Sequence, residues 1–217
     1  VVLCRESGEQ KVIYDETSPT YVERPALSTI RFIDGDQFIV QNETATGWNH
    51  IYLHSVEKGL VRALTSGEWQ VTSVVEATKD RVYYMSTETS PLRRNLYSID
   101  YKGKKKERLT EKDGTYSISP SKGMKYYISN YISASSAREV ELRDGKGKLI
   151  RTLVENPEME ERLKTLPKKE FFTFTTERGD KLNAYIIKPL DFDPQKKYPV
   201  LLTQYSGPGS QQVADSF

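Results

Sequence analysis

The chain has 217 residues, and its 32 Lys and Arg nearly balance its 30 Asp and Glu, so the formal net charge is only +2. A charge so close to zero excludes the strongly basic surface of most nucleic-acid-binding domains, and we expect no nucleic-acid partner. The single cysteine, Cys4, excludes an intrachain disulfide and a cysteine-rich metal site. No apolar run approaches the ~20 residues of a membrane helix. Because the chain begins at Val1, without an initiator Met or a signal peptide, we interpret it as a piece of a longer protein.

An internal repeat of about 44 residues dominates the first part of the chain. Three sets of apolar anchors keep this period: Phe38, Val82 and Tyr126; Ile51, Leu96 and Val140; Leu64, Leu109 and Leu153. Gly-containing turns such as Asp34-Gly35 separate the apolar runs, as in antiparallel strands. Units of roughly 40–50 residues with about four strands are typical of propeller blades. We therefore predict a partial β-propeller over residues 1–157, with about three blades and an edge of a fourth.

The pattern changes after Pro157. Residues 158–169 are predicted to form a short helix and a linker, because Met159, Leu163 and Leu166 recur at helical spacing. Alternating residues then predict two strands, over 170–176 and 181–187, joined by a turn. A short apolar run predicts a third, buried strand over 200–204. A hairpin followed by one buried strand is the beginning of a second domain, over 170–217.

The most specific stretch is residues 198–211, where the apolar run leads directly into a Gly/Pro loop, Tyr205-Ser-Gly-Pro-Gly-Ser-Gln211. A rigid polar loop at a strand end is where α/β enzymes tend to carry chemistry, and Tyr205 has a hydroxyl that can donate a hydrogen bond. This stretch resembles the start of the α/β-hydrolase domain of the dipeptidyl peptidase IV family, in the prolyl oligopeptidase clan. Upstream, three motifs resemble the later propeller blades of the same family: Gly67-Glu-Trp-Gln-Val71, Val82-Tyr-Tyr84 and Arg94-Asn-Leu-Tyr97.

The resemblance implies a mostly β chain, in which late propeller blades precede the first strands of a truncated α/β-hydrolase domain. It implies a serine exopeptidase without a metal or other cofactor that acts on peptides with Pro or Ala at the second position and releases the N-terminal dipeptide. Tyr205 would donate its hydroxyl to the oxyanion, and Pro208 and Gln211 would flank the leaving group. Family members are commonly secreted, periplasmic or membrane-anchored, and homodimers are usual among them.

The chain lacks most of the residues that such a reaction needs. It contains no Gly-x-Ser-x-Gly nucleophile motif, and its only histidines, His50 and His54, lie in the repeat. We therefore expect the nucleophile and its His and Asp partners to lie outside this chain, which alone would be inactive. A spacing of four would let two histidines share a metal on a helix, but this segment has the pattern of a strand, so we predict a surface pair.

Two alternatives remain open from the sequence. One keeps the clan and changes the specificity, to prolyl tripeptidyl, acylaminoacyl or oligopeptidase action. The other is a β-propeller that serves as a binding scaffold without catalysis.

Overall fold

A computed structural model describes residues 1–4, 6–22, 30–205, 207 and 209–217, and the described chain is mostly β. Strands β1 (Val2–Cys4) and β2 (Gln10–Val12) form an antiparallel pair. Within the described residues the helical elements are a short 3₁₀ turn, Lys122–Met124, and helix α1, Pro157–Leu163. None of the helices in this part of the chain has the length and apolar content that a membrane crossing requires.

Three four-stranded antiparallel sheets follow one another along the chain, and within each sheet every strand pairs with its neighbours in sequence. The first sheet contains β3 (Arg31–Asp34), β4 (Gln37–Asn42), β5 (His50–Ser55) and β6 (Gly59–Ala63). The second sheet contains β7 (Val71–Ala77), β8 (Arg81–Ser86), β9 (Asn95–Asp100) and β10 (Glu107–Arg108). The third sheet contains β11 (Thr115–Pro120), β12 (Tyr126–Ile132), β13 (Glu139–Asp144) and β14 (Leu149–Val154).

The two-residue period of the strands explains how the sheets pack in series. In β8, Val82 and Tyr84 face the core shared with the first sheet, whereas Tyr83 and Met85 face the core shared with the third. In β4, Ile39 likewise points into the core shared with the second sheet, and its neighbours point toward β1 and β2. Strands β4 and β8 are therefore buried on both faces, which is why each contains a nearly continuous apolar run.

A repeated set of hydrogen bonds, here called the threonine bridge, closes the first and second sheets. Thr65 Oγ1 accepts the Ile51 amide at 2.9 Å and lies 3.1 Å from His50 Nδ1. Forty-five residues later, Thr110 Oγ1 accepts the Leu96 amide at 3.2 Å and the Asn95 Nδ2 group at 3.1 Å. The bridge satisfies buried donors that the strand ladder leaves unpaired.

The strand register corrects two anchors of the predicted repeat in its third unit. The fifth residues of β5, β9 and β13 pair across the sheet with Phe38, Val82 and Tyr127, respectively. Tyr127 is therefore the residue equivalent to Phe38 and Val82, and Tyr126 is not. Burial agrees, since Tyr127 is 1% exposed and Tyr126 is 52% exposed. At the last anchor, the Leu64 amide donates to the Ile51 carbonyl, and the Leu109 amide donates to the Leu96 carbonyl. In the third sheet the equivalent strand residue, Val140, pairs with Val154, so Val154 replaces Leu153 as the anchor.

Beyond the third sheet, the predicted helix and hairpin are both present. The helix predicted over 158–166 is α1, and the two predicted strands are β15 (Lys169–Thr175) and β16 (Lys181–Ile187), which pair antiparallel. The hairpin keeps much of its apolar surface exposed, including Phe172 at 48% and Ile187 at 51%.

The predicted buried strand over 200–204 is wrong for this chain. The segment has no strand assignment, and Val200, Leu201 and Leu202 are 85%, 90% and 83% exposed. A central strand is stable only when neighbours accept its backbone hydrogen bonds and cover its side chains. No strand pairs with this segment in the described part of the chain. The mostly β character is confirmed, whereas the propeller and α/β-hydrolase assignments stay predictions.

Candidate functional site

Tyr205 lies in the irregular segment that follows the hairpin, with its side chain in solvent. The residue is 66% exposed, and its hydroxyl has no hydrogen-bond partner among the described residues. The preceding apolar residues are exposed as well, so the ring is not part of a hydrophobic core. A phenol in this state has a free O–H to donate to an acceptor that approaches from solvent.

The backbone at Gly207 lies directly against the Tyr205 ring. A Cβ built on Gly207 would be 2.6 Å from Tyr205 Cε1 and 2.9 Å from its hydroxyl oxygen. Because real Cβ atoms do not approach this closely, only glycine at 207 allows the ring its position. A turn follows, in which the Ser210 amide donates to the Gly207 carbonyl at 3.2 Å. The Gly/Pro loop thus places the phenol through a local contact.

The other two predicted site residues give less information. Pro208 lies outside the described residues. Gln211 is exposed, and its Nε2 donates to the Val213 carbonyl at 2.8 Å. No hydrogen bond joins the Tyr205 and Gln211 side chains in the part of the chain that the structure describes.

Asp215, which the sequence interpretation did not single out, fixes the end of this segment on the sheets. Its carboxylate accepts Arg93 Nε at 3.0 Å and the Ala134 amide at 3.0 Å, and its own amide donates to the Leu92 carbonyl at 2.8 Å. The Thr115 hydroxyl donates to the Asp215 carbonyl at 2.9 Å. A sequence signal for this residue is absent, because its partners lie 81 to 123 positions away.

A cavity of about 470 Å³ lies at the same end of the second and third sheets, between β7 and β11. Arg94 lines it together with the hydroxyl-bearing residues Thr72, Ser73, Tyr116 and Ser117. The Arg94 Nη1 group donates to the backbone carbonyls of Pro91 at 2.9 Å and Arg93 at 2.8 Å. Burial lowers the pKa of the Arg94 guanidinium below its usual range. The rest of the wall is apolar, so the cavity combines hydroxyl groups and one cation with the side chains of Val74, Val75, Met85, Ile118 and Pro120.

The predicted surface pair of histidines is wrong for His50. Its ring is fully buried; Nε2 lies 3.0 Å from the Gly67 carbonyl, to which it donates, and Nδ1 lies 3.1 Å from the Thr65 hydroxyl. His54 is partly buried against Tyr14 and Phe38, and burial lowers its pKa. Among the described residues, no three His, Cys, Asp or Glu side chains are grouped closely enough to hold a metal ion.

Comparison with known proteins gives one consistent result. The family described as "Dipeptidyl peptidase IV (DPP IV) N-terminal region" matches residues 1–138. A probable dipeptidyl peptidase 4 of Trichophyton verrucosum (strain HKI 0517) is 36% identical over 98% of this chain and 29% of that protein. The dipeptidyl peptidase 4 of Trichophyton rubrum is also 36% identical, over 98% of this chain and 28% of its own length.

A solved structure has the same fold over nearly the whole chain. The crystal structure of Porphyromonas gingivalis dipeptidyl peptidase 4 superposes with a TM-score of 0.89 and 40% sequence identity, over 97% of this chain and 30% of that one. The chain thus spans less than a third of the length of the relatives that it matches.

Proposed function

The chain belongs to the dipeptidyl peptidase IV family, and from this premise we propose that the whole protein is a serine peptidase that releases N-terminal Xaa-Pro or Xaa-Ala dipeptides. The chain described above would supply one catalytic group, the Tyr205 phenol. The nucleophilic serine and its His and Asp partners would be supplied by other parts of the protein.

The exposed Tyr205 hydroxyl is the observation that carries the proposal. A carbonyl oxygen becomes negatively charged when a nucleophile adds to the carbon, and a fixed O–H donor stabilises that charge. Tyr205 is suited to this role because its hydroxyl has no hydrogen-bond partner among the described residues and Gly207 lets the loop backbone pack against its ring. The phenol keeps its proton throughout, since it only donates a hydrogen bond. One such donor is worth about 3–4 kcal/mol at the transition state.

We assign the three sheets, within residues 1–157, to late blades of a propeller. Their serial packing and four-stranded meander topology support this assignment. Residues 158–169 would connect the propeller to an α/β-hydrolase domain that begins at 170–217. In the whole protein, further strands of that domain would cover the exposed apolar side chains of Val200, Leu201 and Leu202.

In this arrangement the propeller restricts access, so that only a short or unfolded N-terminus reaches the serine. Pro208 and Gln211 would lie beside the leaving-group part of the peptide. A proline at the second position of the substrate would fill a close-fitting apolar pocket, where each methylene-sized misfit costs about 1–3 kcal/mol. No metal or other cofactor takes part in this scheme.

The proposal is tested by Tyr205→Phe in the whole protein, with an Ala-Pro chromogenic peptide as substrate. Loss of the donor should lower kcat by about 10²–10³-fold and change KM by less than about threefold, because the hydrogen bond strengthens only in the transition state. Tyr185→Phe, on the exposed face of β16, removes a phenol from the same region and should leave kcat unchanged. Equal kcat for the Tyr205→Phe variant and the unsubstituted protein would exclude Tyr205 from the mechanism.

A further inference from the structure

Asp215 is the point at which the segment that carries Tyr205 is fixed to the rest of the molecule. In the described chain, the hydrogen bonds made between residues 199 and 214 are local, such as Ser210 to Gly207 and Gln211 to Val213. Asp215 makes four long-range hydrogen bonds, through its amide, its carbonyl and both carboxylate oxygens. Asp215 is therefore the residue through which hydrogen bonds tie this part of the described chain to distant elements.

The partners of Asp215 belong to two different sheets. Leu92 and Arg93 precede β9 of the second sheet, Thr115 begins β11 of the third sheet, and Ala134 follows β12. The carboxylate thus bridges the loops at one end of both sheets. The side chain of Asp215 is only 13% exposed, so its bonds to Arg93 and Ala134 are partly shielded from water.

The neighbouring residue extends the contact to the hairpin. Lys169 Nζ, at the start of β15, donates to the Ser216 carbonyl at 2.7 Å and lies 4.9 Å from the centre of the Tyr185 ring. Asp215 and Ser216 together therefore join the second sheet, the third sheet and the β15–β16 hairpin.

We propose that Asp215 is a positioning residue: its bonds to Arg93, Thr115 and the Ala134 amide fix the Tyr205 segment relative to the sheets, so that the phenol is held at the oxyanion position. This inference rests on the function proposed for Tyr205. A catalytic donor that is displaced by about 1 Å can lose ~10²-fold in rate, so a distant anchor is able to control kcat.

The inference is tested in the whole protein with Asp215→Ala, which removes both carboxylate contacts. Hydrogen exchange of the amides in residues 203–217 should become faster. Activity on the Ala-Pro chromogenic peptide should fall in kcat by about 10- to 100-fold, with KM nearly unchanged. The same substitution in a Tyr205→Phe background should have little further effect, because the two residues act through one hydrogen bond.

Two further variants keep the test interpretable. Asp113→Asn is the matched control, because Asp113 pairs with the same Arg93 guanidinium at 2.7 Å. Asp113 makes no hydrogen bond to the Tyr205 segment among the described residues, so this variant should keep full kcat. Asp215→Asn keeps an acceptor for the Ala134 amide and removes only the charge, so it should fold. If Asp215→Ala fails to fold, the test uses Asp215→Asn, which should show an intermediate loss of kcat.

The outcomes separate the inference from the proposed function. Unchanged exchange of residues 203–217 in Asp215→Ala would show that Asp215 does not anchor the segment. Faster exchange with unchanged kcat, or a full additional loss in the Tyr205→Phe background, would show that Asp215 does not act through the phenol. Unchanged kcat in Tyr205→Phe alone would overturn the proposed function and, with it, the positioning role, while the exchange data would still decide whether Asp215 is an anchor.

Discussion

At the scale of single residues, the position of the Tyr205 ring depends on the absence of a side chain at 207. The atoms that a Cβ there would meet are the far end of the ring, Cε1, Cζ and the hydroxyl oxygen, at 2.6–2.9 Å. The ring can rotate away at little cost, because it is exposed and no other described residue bonds its hydroxyl. A methyl group at 207 should therefore move the phenol without disturbing the fold.

Gly207→Ala in the whole protein should accordingly lower kcat on the Ala-Pro chromogenic peptide by about tenfold or more, since the donor leaves its reactive position. The thermal unfolding midpoint should stay within about 1 °C. In a Tyr205→Phe background the alanine should have no further effect on kcat. A Gly207→Ala variant with full kcat would contradict the positional role that we give to this glycine.

Residue-level prediction from sequence was unsuccessful for histidine burial, and the role of Tyr205 stays a prediction. His50 and His54 were predicted to be a surface pair, because the segment has the pattern of a strand and a spacing of four lets two histidines share a metal only on a helix. The structure buries His50, because Thr65 and the Gly67 carbonyl satisfy both ring nitrogens. Such partners lie 15 and 17 residues away and are not evident from local pattern.

At the scale of elements, the threonine bridge is the feature that the first two sheets share most closely. In both sheets a polar side chain at the start of the third strand, His50 or Asn95, meets a threonine just beyond the fourth strand. The threonine hydroxyl also accepts a hydrogen bond from the backbone amide of the next strand residue, Ile51 or Leu96. The third sheet has Glu155 at the corresponding position, and no such bridge is present there among the described residues.

Thr110→Val should test the contribution of the bridge in the second sheet. Loss of the hydroxyl leaves the Leu96 amide and the Asn95 Nδ2 group without their acceptor, which costs about 1–3 kcal/mol. Hydrogen exchange of the Leu96 amide should therefore become about 5- to 100-fold faster in the native protein. Thr72→Val, at an exposed site on β7, provides the control and should leave that exchange rate unchanged. An equal rate in Thr110→Val would mean that the bridge adds nothing to the stability of the sheet.

The elements also show where sequence patterns lose accuracy. The repeat period located all three sheets, but two adjacent tyrosines, Tyr126 and Tyr127, fit the third anchor equally well by composition. A shift of one residue reverses the face of a strand, so only the pairing with Arg143 identifies Tyr127 as the buried one. The strand predicted over 200–204 failed for a related reason. An apolar run reports the propensity of a segment, whereas a strand also requires partners for its backbone.

At the scale of the whole molecule, the sheets form a series in which each apolar core is shared by two neighbours. The β1–β2 pair packs on the first sheet, the first sheet on the second, and the second on the third. The repeat in the sequence predicts this series of sheets. The motif at 198–211, together with motifs in the repeat, allowed the family to be identified from the sequence. The anchor at Asp215 could not be predicted, because nothing in the local sequence specifies contacts across 81 to 123 positions.

The most direct test of the central claim is a crystal structure of the whole protein with a dipeptide-derived inhibitor that forms a tetrahedral adduct with the nucleophile. We predict that the Tyr205 hydroxyl oxygen lies about 2.7–3.1 Å from the adduct oxygen that represents the oxyanion. The Asp215 bonds to Arg93 and to the Ala134 amide should be intact in the same structure. An adduct oxygen bonded only to other donors, with the Tyr205 ring directed into solvent, would contradict the account.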